Sequence, residues 1–445
     1  MHQRVMRLSI FALILLPALA MPIPSAARAD EEEGQRGHGD GHDHGGKIPP
    51  PKHSGIDHIV IVMMENRSFD HLVGWLPNAD GMQAGLSYPD ATGAIHTTHA
   101  LAPDYTGCGH PDPDHTWSGG RTEYDGGAMD GFLRAGSNDE YAIGYYVEAD
   151  RPFFSAFART YTTCDRFFAS IMGPTYPNRI FQQAAQTDRL DNTLDISTLP
   201  TIWDRLAQAG VSARDYFSDV SFLWLWGAKY VPIQATYEQF LADAASGTLP
   251  SVSLVEPRFV EDTTGTSGSD HPFGDTREAD AFLAETFHAV AAGPEWAHTV
   301  FVVTYDEWGG FFDHVPPPRV AAPNDVDPDI VDGDVLLGMR VPAIIASPFT
   351  KGDPNDPRVN STTFDHTSIL KLIEWRWRLR PLTARDASTD VGNLLAAFDF
   401  AHPDATVPTL PQPPPPPLVP CLAGIPAVDL PLSALEALNP FPPAP

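Results

Sequence analysis

The sequence predicts an α/β fold, a three-layer α/β/α sandwich with a mostly parallel central sheet and helices on both faces. Two β-branched apolar runs, at 59–64 and 299–305, each stop abruptly at polar residues, as buried parallel strands do at a sheet edge. Between 200 and 292 the chain also alternates strand-like and helix-like segments. Its 445 residues, 42% of them hydrophobic, suffice for one large α/β domain or two smaller ones.

Polar side chains follow both apolar runs. Glu65 and Asn66 come after the first run, and Asp306 and Glu307 come after the second. Ligands of open α/β sheets bind outside the carboxyl ends of the strands. If the two strands are parallel neighbours, these four residues converge in a strand-end cage whose three negative charges would repel one another without a cation. The pattern predicts a metal site. The alternative is that polar residues end strands because the following loops are exposed.

The amino-terminal segment has the pattern of an export signal. Basic residues at 1–7, an apolar run at 8–20 and a small-x-small site ending at Ala29 predict a cleaved signal peptide over 1–29 and a secreted or periplasmic protein. The apolar run is too short to span a bilayer. The Gly- and His-rich segment 30–53 is typical of a disordered linker. A catalytic domain is predicted over 54–404, and a proline-rich extended tail over 405–445.

The chain is strongly acidic. Removing residues 1–29 deletes three arginines and no acids, so the formal charge changes from −29 to −32. This charge argues against nucleic acid or an anionic membrane face as a tightly held partner and predicts at most transient contact with a membrane surface. It also repels anionic substrates at long range, so a locally bound cation is needed to reverse the field at the site.

Three cysteines, Cys108, Cys164 and Cys421, are compatible with export. Their spacing includes no C-x-x-C metal motif. A disulfide between Cys108 and Cys164 is the predicted pairing, and three unpaired buried thiols are the alternative.

A candidate nucleophile lies in the segment G-P-T-Y-P-N-R at 173–179. Pro177 suits the first position of a helix, which places Thr175 just before the helix amino terminus. Free backbone N–H groups and the positive end of the helix dipole favour a phosphate and an alkoxide there. The prolines on either side stiffen the turn, as a positioned nucleophile requires.

Histidines on irregular segments are the candidate proton donors. His115 lies in a stretch without hydrophobic periodicity, and His271 is predicted to be exposed on a loop. His314, next to Asp313, is a further candidate, whereas His366 is expected to cap a helix or to pair at its start, outside the site. A hydroxyl, a carboxylate-rich cation site and histidines together indicate phosphoryl transfer, in which the hydroxyl attacks phosphorus and an imidazole protonates the leaving oxygen.

Four motifs carry a family resemblance. E-N-R-S-F-D-H at 65–71, G-P-T-Y-P-N-R at 173–179, D-H-P at 270–272 and D-E-W-G-G-F-F-D-H-V-P-P-P at 306–318 resemble the bacterial phosphoesterase family. That family contains phospholipases C of the non-haemolytic type and respiratory-burst-inhibiting acid phosphatases, and it belongs to the alkaline-phosphatase-like α/β/α superfamily. The resemblance implies a divalent metal, with Ca²⁺, Mg²⁺, Mn²⁺ and iron all suited to oxygen ligands. The implied ligands are Glu65, Asn66, Thr175, Asp306 and Glu307.

The resemblance also bears on the substrate. Thr175 stands where the acid phosphatases of the family carry Ser and the phospholipases carry Thr, which favours a phosphodiester lipid. His115 and His271 match the family by motif and order, but a paired histidine of some acid phosphatases has no match here. The chain also lacks the β-rich carboxyl-terminal extension of the longer phospholipases. The expected function is therefore a secreted metal-dependent phospholipase C. An acid phosphatase is the alternative, and a non-catalytic exported binding protein is a remote one.

Overall fold

The two β-branched runs form adjacent parallel strands at the centre of the molecule. In this computed structural model, which describes residues 47–260, 265–421 and 432–441, the first run pairs with the second in register from His58↔Thr299 to Met64↔Tyr305. Their carboxyl ends therefore lie side by side, as the metal-site hypothesis requires. The predicted signal peptide and residues 30–46 of the predicted linker lie outside the described residues.

The central sheet is mixed but mostly parallel. The strands of the described residues are, in chain order, β1 (His58–Met64), β2 (Ser87–Pro89), β3 (Ile95–Thr97), β4 (His99–Ala100), β5 (Gly144–Tyr145), β6 (Thr162–Cys164), β7 (Ala213–Phe217), β8 (Gln234–Thr236), β9 (Val252–Glu256), β10 (Thr299–Tyr305), β11 (Arg319–Ala321), β12 (Asp334–Leu336), β13 (Ala343–Ala346) and β14 (Val359–Asn360). The order of the central sheet is β14-β6-β13-β10-β1-β9-β7-β8. Of these described strands, only β13 runs against its neighbours in the central sheet, pairing antiparallel with both β10 and β6.

Helices flank the sheet in two groups, which confirms the predicted fold class. The α-helices of the described residues are α1 (Phe69–Val73), α2 (Trp117–Tyr124), α3 (Pro152–Thr160), α4 (Thr175–Ala184), α5 (Ile202–Ala209), α6 (Tyr237–Ser246), α7 (Thr276–Ala292), α8 (His366–Trp377) and α9 (Ala384–Ala387). In one group α7 contacts α3 and α6. In the other group α4 contacts α5 and α8, and α8 also contacts α9. Among these residues, no helix is both long and apolar enough to cross a membrane.

Burial on both faces fixes the central strands. All of β10, and β1 from Ile59 onward, is buried, and most of these side chains belong to one continuous hydrophobic cluster. Each fully buried Val or Ile side chain contributes roughly 1.5–3 kcal/mol relative to an exposed one. Side chains on both faces of β1 are covered, and a one-residue slip in register would move each of them to the opposite face. The packing therefore fixes the register, and the acidic strand ends stay at the sheet edge.

The proline-rich segment is tied to the body of the protein. The Lys351 ammonium donates to the Asp404 carboxylate and to the Thr406 carbonyl, both at 2.8 Å. Farther along, Cys421 forms a disulfide with Cys108. The predicted pairing of Cys108 with Cys164 is therefore wrong, because Cys164 is a free thiol buried in β6.

Candidate active site

The four residues of the strand-end cage lie at the adjacent carboxyl ends of β1 and β10. Glu65 and Asn66 directly follow β1, Asp306 and Glu307 directly follow β10, and all four are fully buried. One Asp306 carboxylate oxygen, Oδ1, accepts the backbone N–H groups of Asn66 at 3.2 Å and of Glu307 at 2.7 Å. These bonds join the two strand ends across the edge of the sheet.

Backbone conformation at this edge leaves little room for other side chains. Asn66 has a positive φ of 57°, in the left-handed region that Asn tolerates better than most residues. Gly309 also has a positive φ, and a Cβ atom there would lie 2.1 Å from the Asn66 carbonyl oxygen. The glycine after Trp308 is therefore required for the two strand ends to approach each other.

Arg179 supplies a positive charge that the sequence analysis did not assign to the cage. Its guanidinium donates to Glu65 and, through Nε at 3.1 Å, to Asp306 Oδ2. Burial lowers the pKa of Arg179, but the charges of Glu65 and Asp306 more than offset this effect and keep it above its usual value. Arg179 lies one turn of α4 after Thr175, and this i, i+4 spacing is the signal that could have identified it.

The donor set of the cage fits a divalent cation. Three carboxylates against the one guanidinium of Arg179 leave a formal charge of −2. The Asn66 side-chain oxygen, which accepts the Thr175 hydroxyl at 3.4 Å, and that hydroxyl itself add two neutral oxygen donors. Carboxylate, amide and hydroxyl oxygens are the ligands that hard cations such as Ca²⁺ and Mg²⁺ prefer. The residues present thus suit the implied metal, although Arg179 already neutralises part of the charge.

Thr175 is the first residue of α4 rather than the residue before the helix. The Asn178 amide donates to the Ile171, Gly173 and Pro174 carbonyls at 2.9–3.2 Å and thereby holds the turn. Thr175 is 2% exposed. The expected set of free N–H groups is reduced, because Tyr176 donates its N–H to Asn192 at 2.7 Å and Pro177 has none. The helix terminus therefore offers an anion mainly the Thr175 N–H.

His115 and His271 lie together, with their ring centroids 6.5 Å apart. The Nδ1 atom of His115 lies 2.7 Å from the Pro113 carbonyl, which keeps a proton on Nδ1. Its Nε2 atom lies 3.9 Å from the Glu307 carboxylate. This arrangement leaves Nε2 as the atom of His115 that can gain or release a proton beside the cage.

The prediction that His271 is exposed is wrong, since its side chain is only 7% exposed. Burial, followed by the nearby His115 and Arg67 charges, holds the pKa of His271 well below its usual value. The Glu65 N–H donates to the Ser269 carbonyl at 2.8 Å, which ties this loop to the end of β1. The sequence around His271 does not indicate this packing, because it lacks the hydrophobic pattern of a buried segment.

Two buried arginines hold the His271 loop. Arg67 donates through Nε to the Asp270 carbonyl at 2.7 Å and through a terminal nitrogen to the His271 carbonyl at 3.4 Å. Arg151 donates to the Asp270 carboxylate at 2.5 Å, and the Tyr305 hydroxyl donates to the same oxygen at 2.6 Å. Asp270 itself has a positive φ of 77°. The Arg67 and Arg151 contacts, which connect residues far apart in sequence, were missed by sequence reasoning.

His314 lies in a different ion-pair cluster. Its Nδ1 atom is 2.5 Å from the Asp70 carboxylate, and its Nε2 atom is 3.2 Å from Asp80. Asp70, Asp313 and His314 are close enough to bind a metal, but Arg340 pairs with both acids, at 3.1 and 2.9 Å. This guanidinium supplies the compensating charge. A catalytic role for His314 stays a prediction, and its ion pairs favour a positioning role.

His366 lies outside the cage, as expected. It is the first residue of α8, and its Nε2 atom lies 2.9 Å from the Tyr305 carbonyl at the end of β10. The helix cap itself is Asp365, whose carboxylate accepts the Thr367 N–H. The histidine therefore links α8 to the sheet.

Asp215 and Glu256 form a buried pair of carboxyl groups, and Glu256 is close enough to Arg179 to raise its pKa. Burial raises the pKa of Asp215 to about 6, and burial together with Asp215 raises the pKa of Glu256 well above its usual value. An acid whose pKa is raised by folding stabilises the protein below its unfolded pKa near 4, and this contribution is lost as the pH rises through 6. We expect the free energy of unfolding to fall by up to about 3 kcal/mol over this range.

Urea unfolding between pH 4 and 8 tests this expectation. Asp215→Asn should flatten the pH dependence, because the amide cannot release a proton to the solvent. The exposed Asp332→Asn should leave it unchanged. An unaltered slope in Asp215→Asn would contradict the assignment.

Comparisons with known proteins identify the family. The model of the Phosphoesterase family matches residues 56–380. The chain belongs to this family and is a hydrolase acting on phosphate ester bonds.

Its relatives include phospholipases. Phospholipase C A of Mycobacterium tuberculosis is 32% identical over 86% of this chain and 85% of its own length. Non-specific phospholipase C3 of Arabidopsis thaliana is 29% identical over 81% of this chain and 76% of its own length. This chain is thus similar to phospholipases C of a bacterium and of a plant.

The solved structures that this chain matches are about 10% identical to it in sequence. A protein of the alkaline phosphatase superfamily from Vibrio parahaemolyticus is 9% identical, with a TM-score of 0.36, over 78% of this chain and 70% of its own. The lipoteichoic acid synthase LtaP from Listeria monocytogenes is 9% identical, with a TM-score of 0.39, over 78% of each chain.

Proposed function

We propose that this chain is a secreted, metal-dependent phospholipase C that cleaves phospholipid head groups through a phosphorylated Thr175. The observation that carries the proposal is the Thr175 hydroxyl, which lies at the first turn of α4 and donates to Asn66 in the strand-end cage. The substrate class is supported by the relatives that are named phospholipases C. Export is supported by the amino-terminal pattern and by the Cys108–Cys421 disulfide, since disulfides persist in oxidising compartments.

Each step of the reaction has a candidate group. The Thr175 oxygen attacks phosphorus, the bond from phosphorus to the diacylglycerol oxygen breaks, and an imidazole gives that oxygen its proton. Water then attacks the phosphorylated Thr175, which regenerates the hydroxyl and releases the phosphorylated head group. A divalent cation held by Glu65, Asn66, Thr175, Asp306 and Glu307 would lower the pKa of the Thr175 hydroxyl and stabilise the charge developing on the phosphoryl oxygens.

His271 and His115 are the candidate base and acid for the proton transfers. His271, whose pKa is held low, is neutral at neutral pH and suits a base that accepts a proton from Thr175 or from water. His115, with Nε2 beside Glu307, suits the acid that protonates the leaving oxygen because the carboxylate stabilises the imidazolium. Arg67 and Arg151 keep the His271 loop in place while protons move.

Parallel turnover of a diester and a monoester tests the proposal. Purified protein should release diacylglycerol from phosphatidylcholine micelles faster than it hydrolyses p-nitrophenyl phosphate. Chelation should abolish both reactions, and restoring Ca²⁺, Mg²⁺, Mn²⁺ or Fe²⁺ one at a time should show which ion the site uses. A preference for the monoester would instead identify an acid phosphatase, and full activity after exhaustive chelation would refute the metal dependence.

A further inference from the structure

The disulfide between Cys108 and Cys421 lies against the base of the His271 loop. A Cβ atom added at Gly265 would lie 2.7 Å from the Cys421 sulfur and 3.3 Å from the Cys108 sulfur. Gly265 has a φ of 80°, which favours glycine at this position. From Gly265 the chain leads within six residues to His271. The disulfide is therefore in direct contact with the loop that carries a candidate proton-transfer group.

The same disulfide lies in the segment that leads to His115. The residue before Cys108, Gly107, packs against Tyr141 and the Pro272 carbonyl, and the Tyr141 hydroxyl donates to that carbonyl at 2.7 Å. The Thr276 N–H donates to the Tyr105 carbonyl at 3.0 Å. These contacts join the loops of His115 and His271 along a seam formed by Tyr105, Gly107, Tyr141, Pro272 and Thr276. The disulfide fastens the carboxyl-terminal segment to this seam.

The segment that reaches this seam is stiff and anchored at its other end. Trp296 donates to the Ala405 carbonyl at 3.1 Å, and the Lys351 ammonium binds Asp404 and Thr406. Leu410 is buried and Pro413 and Pro416 are half-buried, whereas the residues between them are exposed. A burial period of three residues is that of a polyproline II helix with one face on the protein. Such a helix resists bending, so an anchor at one end restricts the position of the other end.

We propose that residues 405–421 form a strap whose disulfide to Cys108 positions the His271 loop for phosphoester hydrolysis. The inference rests on the proposed role of His271 in proton transfer. The strap acts through the loop, because its disulfide to Cys108 lies against Gly265. A displacement of a proton-transfer group by about 1 Å costs up to about 100-fold in rate.

Cutting the strap at Cys421 tests this inference. Cys421→Ser should lower kcat on p-nitrophenyl phosphorylcholine about tenfold or more with little change in KM, because the cage and Thr175 are untouched. Hydrogen exchange of the peptide spanning 265–275 should accelerate in the same variant. Cys164→Ala removes a buried thiol from β6, away from the seam, and should change neither quantity.

Reduction of the folded wild type provides a second perturbation that needs no folding of a variant. A phosphine cleaves the S–S bond to two thiols and becomes a phosphine oxide, with water supplying the oxygen and the protons. The treated protein should reproduce the lower kcat and the faster exchange, and Cys421→Ser should not respond. If exchange at 265–275 rises while kcat is unchanged, the strap does not position the loop for catalysis. If only the midpoint of global unfolding falls, it is a tether for stability.

The exchange measurement separates this inference from the proposed function. An inactive wild type would refute the proposed hydrolysis, yet the exchange of 265–275 would still report whether the strap holds the loop. Unchanged exchange in both Cys421→Ser and the reduced wild type would overturn the strap while leaving the hydrolase intact.

Discussion

Replacing Thr175 with alanine is expected to reduce phosphoester hydrolysis by at least about 10³-fold, because nucleophiles that act together with a base account for losses of this size or larger. The hydroxyl is the only part of the side chain placed to attack phosphorus, and its bond to Asn66 directs it into the cage. The midpoint of urea unfolding should change little, since the hydroxyl makes one long hydrogen bond of 3.4 Å. The loss of activity should therefore not be a loss of folded protein.

Two further measurements make the Thr175 prediction specific. Thr175→Ser keeps the hydroxyl and should retain measurable turnover, whereas Thr175→Val, which matches the shape without the oxygen, should be as inactive as alanine. Acid quenching during turnover of a substrate labelled on phosphorus should trap phosphate on a peptide containing 173–179 in the wild type. Turnover without such an intermediate, or activity in Thr175→Val, would show that water attacks the substrate directly.

Short-range patterns in the sequence predicted the central sheet and the adjacency of its two acidic strand ends. A β-branched run that ends in acids specifies both a buried strand and the position of the acids, so the adjacency of Glu65 with Asp306 followed from one assumption, that the strands are parallel neighbours. The helix around Thr175 was also anticipated, with an error of two residues at its start. Local propensity and periodicity are sufficient for features of this kind.

Contacts between distant segments were the part that sequence reasoning missed. A cation was expected in the cage, and the i, i+4 spacing from Thr175 places Arg179 on that side of its helix, but the spacing does not show that the guanidinium pairs with Glu65. His271 was expected on an exposed loop because Gly and Ser surround it. Instead, Arg67 and Arg151, which lie in other segments of the chain, bind Asp270 and hold the loop in the interior. The Cys421 pairing was missed for the same reason, since the partners are 313 residues apart. Such contacts depend on the chain path, which composition does not encode.

Replacing Arg179 with methionine should lower the free energy of unfolding by about 3–5 kcal/mol, because Glu65 and Asp306 would remain buried without their guanidinium partner. The methionine keeps the contact with Phe222, on whose ring the guanidinium carbon now lies at 4.3 Å. Urea unfolding in the presence of a chelator measures the loss. Since the cage then carries three uncompensated negative charges, a divalent cation should bind more tightly and restore more stability than it does in the wild type.

The matched control is Arg385→Met, which removes an equally buried guanidinium from Asp365 outside the cage. It should also destabilise the protein, but an added divalent cation should restore no more stability than in the wild type, and the remaining folded protein should keep its activity. In Arg179→Met, activity per folded molecule should fall even with the cation present, because the Glu65 and Asp306 side chains lose the group that orients them. Equal responses of the two variants to the cation would mean that the charge of the strand-end cage does not attract a metal, and Arg179 would then be a structural ion-pair partner.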